Sequence, residues 1–266
     1  MTHQEPFDPD IARVAHLLAE AARRAILPLF RSASLSDDNK EDGGYDPVTE
    51  ADRAAERAMR DILGRERPHD AILGEEYGAE PGTSGLTWVL DPIDGTRGFV
   101  SGTPTWGVLI AVSDAAGPFY GIIDQPYIDE RFEGTPHGAE VVWQQQRRPL
   151  RTRTARDLSE AIVFTTFPEV GSTEEGQAFH AVAQHAKLTR YGMDCYAYAL
   201  VASGQVDLVI EAGLAAYDIQ APIAVVQAAG GIVTDWQGGP AHEGGRAIAA
   251  ANAQVHAQAL EILKAY

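Results

Sequence analysis

Between residues 70 and 146 apolar runs follow one another too closely for helices to lie between most of them. "DAILGEE" (70–76), "TWVLD" (87–91), "TWGVLIAVS" (105–113), "FYGIIDQP" (119–126) and "AEVVWQQQ" (139–146) each have strand length, and Gly, Pro and Asp turns separate them. Strands joined by short turns pair antiparallel, so this stretch predicts a largely antiparallel sheet. Upstream, Ile11, Val14, Ala15, Leu17, Leu18 and Ala22 recur at helical spacing, with Pro9 near the start. A polar, Gly-rich stretch (36–47) predicts a mobile loop. "TEADRAAERAMRDILG" (49–64) predicts a second helix with Thr49 as N-cap and Asp52 as its capping-box acid.

Beyond residue 150 the order changes to alternation. Strands at 161–166, 205–212, 232–236 and 246–251 are interleaved with helices at 174–186, 195–202, 217–230 and 255–264. Helices then cover a second sheet, giving an α+β or α/β layered fold. A seam at the basic, polar stretch 147–158 divides an N-terminal part (1–150), with most of the acids discussed below, from a C-terminal α/β part (151–266), the two forming one compact unit. A chain of 266 residues is ample for such a core.

The net charge of −17 excludes a nucleic-acid or anionic-membrane surface, since those partners require basic patches. A single cysteine, Cys195, rules out an internal disulfide framework and reads as a small core residue. With no apolar leader and no run of about 20 apolar residues, a cytoplasmic location is expected. His180 and His185 lie five apart, which does not place them on one helical face, and they read as surface residues.

The chemistry is concentrated in "WVLDPIDGTRGF" (88–99). Pro92 biases Asp91 to an extended backbone, and Gly95 permits close approach after Asp94. Two carboxylates about 4 Å apart repel by about 4 kcal/mol at an effective dielectric of about 20. They persist only if protonated, splayed or bridged by a cation. Oxygen donors without a companion His or Cys favour Mg²⁺, or Mn²⁺ in its place, and Mg²⁺ commonly shares its shell with phosphate. Thr96 is placed to align a water, with Asp52 or Glu75 to receive its proton. An anionic small substrate is compatible with the acidic chain only where ions invert the local field.

"LGEE" (73–76), "DPIDGT" (91–96), "YDIQAP…AAGG" (217–231) and upstream "DPVTEAD" (46–52) resemble, in order and separation over nearly the whole chain, the four signatures of the inositol monophosphatase family. The resemblance implies an αβαβα sandwich of the inositol monophosphatase and fructose-1,6-bisphosphatase type. It implies Mg²⁺-dependent hydrolysis of a small phosphomonoester, usually by a homodimer. Carried over by motif, Glu75, Asp91 and the Ile93 carbonyl would hold one metal and Asp91, Asp94 and Asp218 a second. A third, weaker ion would involve Glu75. Thr96, Asp52 and Glu75 would be catalytic, and the Gly95 and Thr96 amides would grip phosphate.

"DGTRGF" in place of the frequent DGTxNF, and Tyr217 where Trp is common, resemble the histidinol-phosphate phosphatase branch. So do "SGTPTWGVLIAV" (101–112), "GIIDQP" (121–126) and "RYGMDCYAYALVASGQVDLVIEAG" (190–213). Asp194 and Glu211 would then pair with the substrate ammonium, with Arg97 and Arg190 also at the substrate. The bland alternatives are a polar helix start for Asp194 and a solvated strand end for Glu211. Lys40, six residues before Asp46, is not expected to touch the metals. The "DGT" triplet also resembles the Asp-x-Asp-Gly-Thr motif of haloacid-dehalogenase-type phosphatases. Here the acids stand two residues apart rather than one, and that family's nucleophile has no slot. The remaining alternatives are an inositol or sugar monophosphatase and a family member that binds metal or a partner without turnover.

Overall fold

The apolar runs pair into two sheets whose faces carry alternate residues of the same strands. The computed structural model describes residues 7–33, 35, 37–39, 47–154, 156–167, 169 and 171–266. Lys40, Asp46 and most of the 36–47 stretch lie outside the described residues. At its ends, β1 (Asp37–Asn39) pairs antiparallel with β2 (Pro47–Thr49). Helix α1 (Pro9–Ile26) is capped by Asp8, and α2 (Glu50–Glu66) by the expected reciprocal pair of Thr49 and Asp52.

The first sheet contains β3 (Ala71–Gly74), β4 (Gly78–Glu80), β5 (Thr87–Asp94), β6 (Gly107–Asp114), β7 (Gly117–Gln125), β8 (Glu130–Thr135), β9 (Gly138–Trp143) and β10 (Gln146–Pro149), with α3 (Thr96–Ser101) after β5. Its order is β10-β9-β8-β7-β6-β5-β3-β4, antiparallel except for the β3–β5 pair. In the second half come β11 (Ile162–Thr165), α4 (Thr173–Ala183), β12 (Leu188–Tyr191), α5 (Tyr196–Ala202), β13 (Leu208–Leu214), α6 (Ala216–Ala228), β14 (Ile232–Thr234), β15 (Gly245–Ala250) and α7 (Ala253–Leu263). The second sheet runs β12-β11-β13-β15-β14.

Period-two alternation sorts the side chains into layers. Val108, Ile110 and Val112 face α1 and α2, whereas Leu109 and Ala111 face inward to α5 and α6. In the second sheet Val209, Ala247 and Ala249 face that same middle layer, and Leu208, Ile210 and Ile248 face α4 and α7. The result is the αβαβα sandwich, and the middle core joins residues from both sides of the 147–158 stretch.

Strands β4, β8, β10 and β12 extend the sequence reading. "ERFEGT" in β8 gave no apolar alternation because its charges are used internally. The fully buried Asp124 accepts from Arg23 Nε and Nη2 (both 2.7 Å) and from Arg131 Nε (2.9 Å), while Glu133 accepts from the Tyr120 hydroxyl (2.6 Å). This network fastens α1 to β7 and β8.

Helix α6 lies almost on the backbone of the first sheet because Gly121 and Gly134 stand opposite each other on β7 and β8. A Cβ on Gly134 would meet Val225 Cα and Ala224 O at 2.6 Å, and one on Gly121 would meet Ala221 O at 2.7 Å. These contacts are to backbone, so relief requires the helix itself to move. Gly134→Ala should therefore cost about 1–3 kcal/mol and lower Tm by roughly 3–10 °C. Thermal unfolding checks this, and an unchanged Tm would show that α6 is not seated by the glycine gap.

Candidate active site

Pro92 has no N–H to offer the ladder, and β5 bulges there. Asp91 faces Leu109 and Asp94 faces Gly107, so three steps on β5 match two on β6. Asp91 Oδ1 accepts the Ile93 N–H at 3.0 Å, which fixes the turn. Gly95 follows in the left-handed region (φ 85°), and a Cβ there would lie 2.8 Å from Asp194 Cβ; both conditions require glycine. A matching bulge lies on β13, where Glu211 faces Ala247 and Leu214 faces Gly245. The chain then turns into α6, with Asp218 in its first turn accepting the Ala215 N–H at 2.6 Å.

These two irregular strand ends meet at a cavity of about 470 Å³. Asp91, Asp94 and Asp218 bring carboxylate oxygens within 4.8 Å of one another, and Glu75 lies against Asp91 within hydrogen-bonding reach. Burial, followed by the charges of Glu75, Asp94 and Asp218, pushes the Asp91 carboxyl well above the usual range. Burial and Asp218 do the same to Asp94, against the Cys195 N–H that donates to it at 2.6 Å. Among the described residues lining the cavity, Arg97 is the only basic one. Its guanidinium sits 4.8 Å over the Phe167 ring at the rim. Asp91, Asp94 and Asp218 offer closely convergent oxygen donors that could hold a divalent cation.

The Thr96 hydroxyl lies 3.1 Å from the Ile93 carbonyl and 3.4 Å from Asp52 Oδ1. Having one proton, it can donate to only one of them at a time. Asp52 Oδ2 is held by the Thr49 N–H (2.8 Å) and hydroxyl (2.6 Å), so the capping box also aims Oδ1 at Thr96. Burial pushes Asp52 up to about 6.

The cavity lining carries two more acids. Glu211 is buried rather than a solvated strand end; it accepts from Thr166 N (2.7 Å), Thr166 Oγ1 (2.9 Å) and Thr165 Oγ1 (3.1 Å). Burial pushes it up to about 7 against those bonds. Asp194 accepts from Thr105 Oγ1 at 3.3 Å and is pushed up to about 6 by burial, with the Thr105 bond and the Arg97 charge opposing.

Glu75, Asp91, Ile93, Asp94, Gly95, Thr96, Arg97, Asp194, Glu211 and Asp218 thus line one cavity, and Asp52 stands behind Thr96. Arg190 does not join them. It is exposed on β12, the edge strand of the second sheet, and is not among the described residues that line the cavity. Sequence reasoning missed Thr165 and Thr166, which lie in no motif it quoted, and did not single out Thr105 within "SGTPTWGVLIAV"; all three are recognisable only by what they touch. Cys195 is buried, as expected, and its backbone serves Asp94. Among the described residues no helix is long and apolar enough to cross a membrane.

A model of the inositol monophosphatase family matches residues 10–266. A bifunctional phosphatase IMPL2, chloroplastic, of Arabidopsis thaliana is 40% identical, over 95% of this chain and 75% of its own length. A histidinol-phosphatase of Streptomyces coelicolor is 35% identical, over 96% and 97% of the two chains. An inositol monophosphatase structure from Zymomonas mobilis superposes with a TM-score of 0.86 at 38% identity, covering 98% of this chain and all of that one. The two strand-end bulges that gather the acids therefore sit within a shared architecture, and the chain belongs to the inositol monophosphatase family of phosphoric monoester hydrolases.

Proposed function

We propose that the protein is a Mg²⁺-dependent histidinol-phosphate phosphatase, releasing histidinol and phosphate in histidine biosynthesis. The observation that carries the substrate choice is Glu211: a buried carboxylate lining the same cavity as the clustered acids, bonded by hydroxyls and an amide, with no Lys, Arg or His bonded to it among the described residues. An ammonium supplies the missing cation, whereas inositol offers only neutral hydroxyls. Asp194, in the same lining, is the second partner. The histidinol-phosphatase relative supports this reading, and the Zymomonas structure supports inositol 1-phosphate or sugar phosphates as the alternative.

Glu75, Asp91 and the Ile93 carbonyl would hold one Mg²⁺, and Asp91, Asp94 and Asp218 a second, with a third, weaker ion at Glu75; Mn²⁺ is the natural substitute. When bound, such ions lower the pKa of water and neutralise charge developing on phosphate and leaving oxygen. Thr96 donates its proton to Asp52 Oδ1 and offers its lone pair to the attacking water, so that the water is aimed and its proton has a path to Asp52. Glu75 is the second acceptor of that proton. The Gly95 and Thr96 amides hold the phosphate, while Arg97 over Phe167 closes the rim. A homodimer in the cytoplasm, with its division near residue 150 inside one compact unit, belongs to the same proposal.

Histidinol phosphate should be hydrolysed with a kcat/KM at least tenfold above that of inositol 1-phosphate at equal Mg²⁺, and a preference for inositol 1-phosphate would overturn the substrate choice. Glu211→Gln should lose roughly 30- to 100-fold on histidinol phosphate, about 2–3 kcal/mol for a charge-assisted bond, and under fivefold on phenyl phosphate. Equal losses on the two esters would remove Glu211 from amine recognition.

A further inference from the structure

Tyr198, on α5, lines the cavity and is only 4% exposed, yet its hydroxyl has no hydrogen-bond partner among the described residues. A buried hydroxyl left unsatisfied is destabilising, and a phenylalanine of the same shape would avoid that penalty. Nothing in the packing of α5 needs the oxygen. The helix is held by apolar neighbours, and Ala197, Ala199 and Val201 beside it belong to the middle core.

The surroundings define what the hydroxyl can do. Glu211, Asp94 and Asp218 line the same cavity, and an ordinary tyrosine ionises only at about pH 10. It therefore stays protonated and acts as a neutral donor. Of these acids, Glu211 already accepts three bonds, from Thr165 and Thr166. The acids of the cavity accept from donors, so a substrate that also carries a lone pair needs a donor in the same lining.

We propose that Tyr198 is a specificity-determining residue that contacts the substrate, its hydroxyl donating a hydrogen bond to a lone pair on the leaving alcohol. For the substrate proposed above, that acceptor is the unprotonated imidazole nitrogen, with Glu211 taking the ammonium of the same molecule. The identity of the acceptor rests on the histidinol-phosphate reading; the donor role of the tyrosine does not.

The test is Tyr198→Phe, which preserves shape. In the ligand-free protein, removal of the unsatisfied hydroxyl should leave Tm unchanged or raise it by roughly 2–4 °C. The kcat/KM on histidinol phosphate should fall about 10- to 30-fold, with a loss of at most threefold on O-phosphoethanolamine, which has the ammonium but no ring, and on phenyl phosphate. Equal losses on all three esters, or no loss on any, would overturn the proposal. So would a fall in Tm without a change in selectivity, which would mark the hydroxyl as structural. A loss shared by O-phosphoethanolamine but not phenyl phosphate would overturn the ring assignment. If the wild-type enzyme prefers another alcohol phosphate, the substrate reading fails separately. The same ratio, taken on that preferred ester against phenyl phosphate, then decides the tyrosine: a selective loss supports it and an equal loss overturns it.

Discussion

Like charge gathered in a buried seam is the constraint on which the rest of this molecule depends. Asp91, Asp94 and Asp218 are held within 4.8 Å by a bulged strand and the first turn of a helix, and Glu75 adds a fourth carboxylate beside Asp91. Burial and mutual repulsion push the Asp91 and Asp94 carboxyls above the usual range. Divalent ions relieve that repulsion by making the carboxylates useful as anions. The seating of α6 on Gly121 and Gly134 holds the helix whose first turn carries Asp218.

The cavity is lined by the clustered acids and Thr96, with Asp52 behind Thr96, and by Glu211, Asp194 and Tyr198, to which the proposed reading gives the alcohol part of the substrate. The same device, an extra residue inserted where an antiparallel ladder ends, recurs at Asp91–Asp94 and at Glu211–Leu214. A bulge re-aims side chains without requiring a long loop, which suits a site that must hold several carboxylates in fixed relation.

Much of this was legible in the sequence where the signal was local. The Thr49–Asp52 capping box, the spans of α1, α2 and the long strands, and the carboxylates of the strand-end motifs all follow from spacing or motif within a few residues. What was not legible depends on distant partners. Strand β8 hides its periodicity because Arg131 and Glu133 pair with Asp124, Glu20, His16 and Tyr120 instead of facing water. The burial of Glu211 depends on Thr165 and Thr166, which are 45 or more residues away in the chain. Arg190 reads as a site residue by position in a motif, yet it lies on an exposed edge strand.

The central claim is that the acids at the end of β5 and the start of α6 form a metal centre rather than a set of shared protons. Crystals grown with Mn²⁺ and measured at the manganese edge test it most directly. The account predicts anomalous peaks in contact with Asp91, one shared with Asp94 and Asp218 and another on the side of Glu75 and the Ile93 carbonyl. Anomalous density absent from these carboxylates at millimolar Mn²⁺, or confined to other acids on the surface, would contradict it.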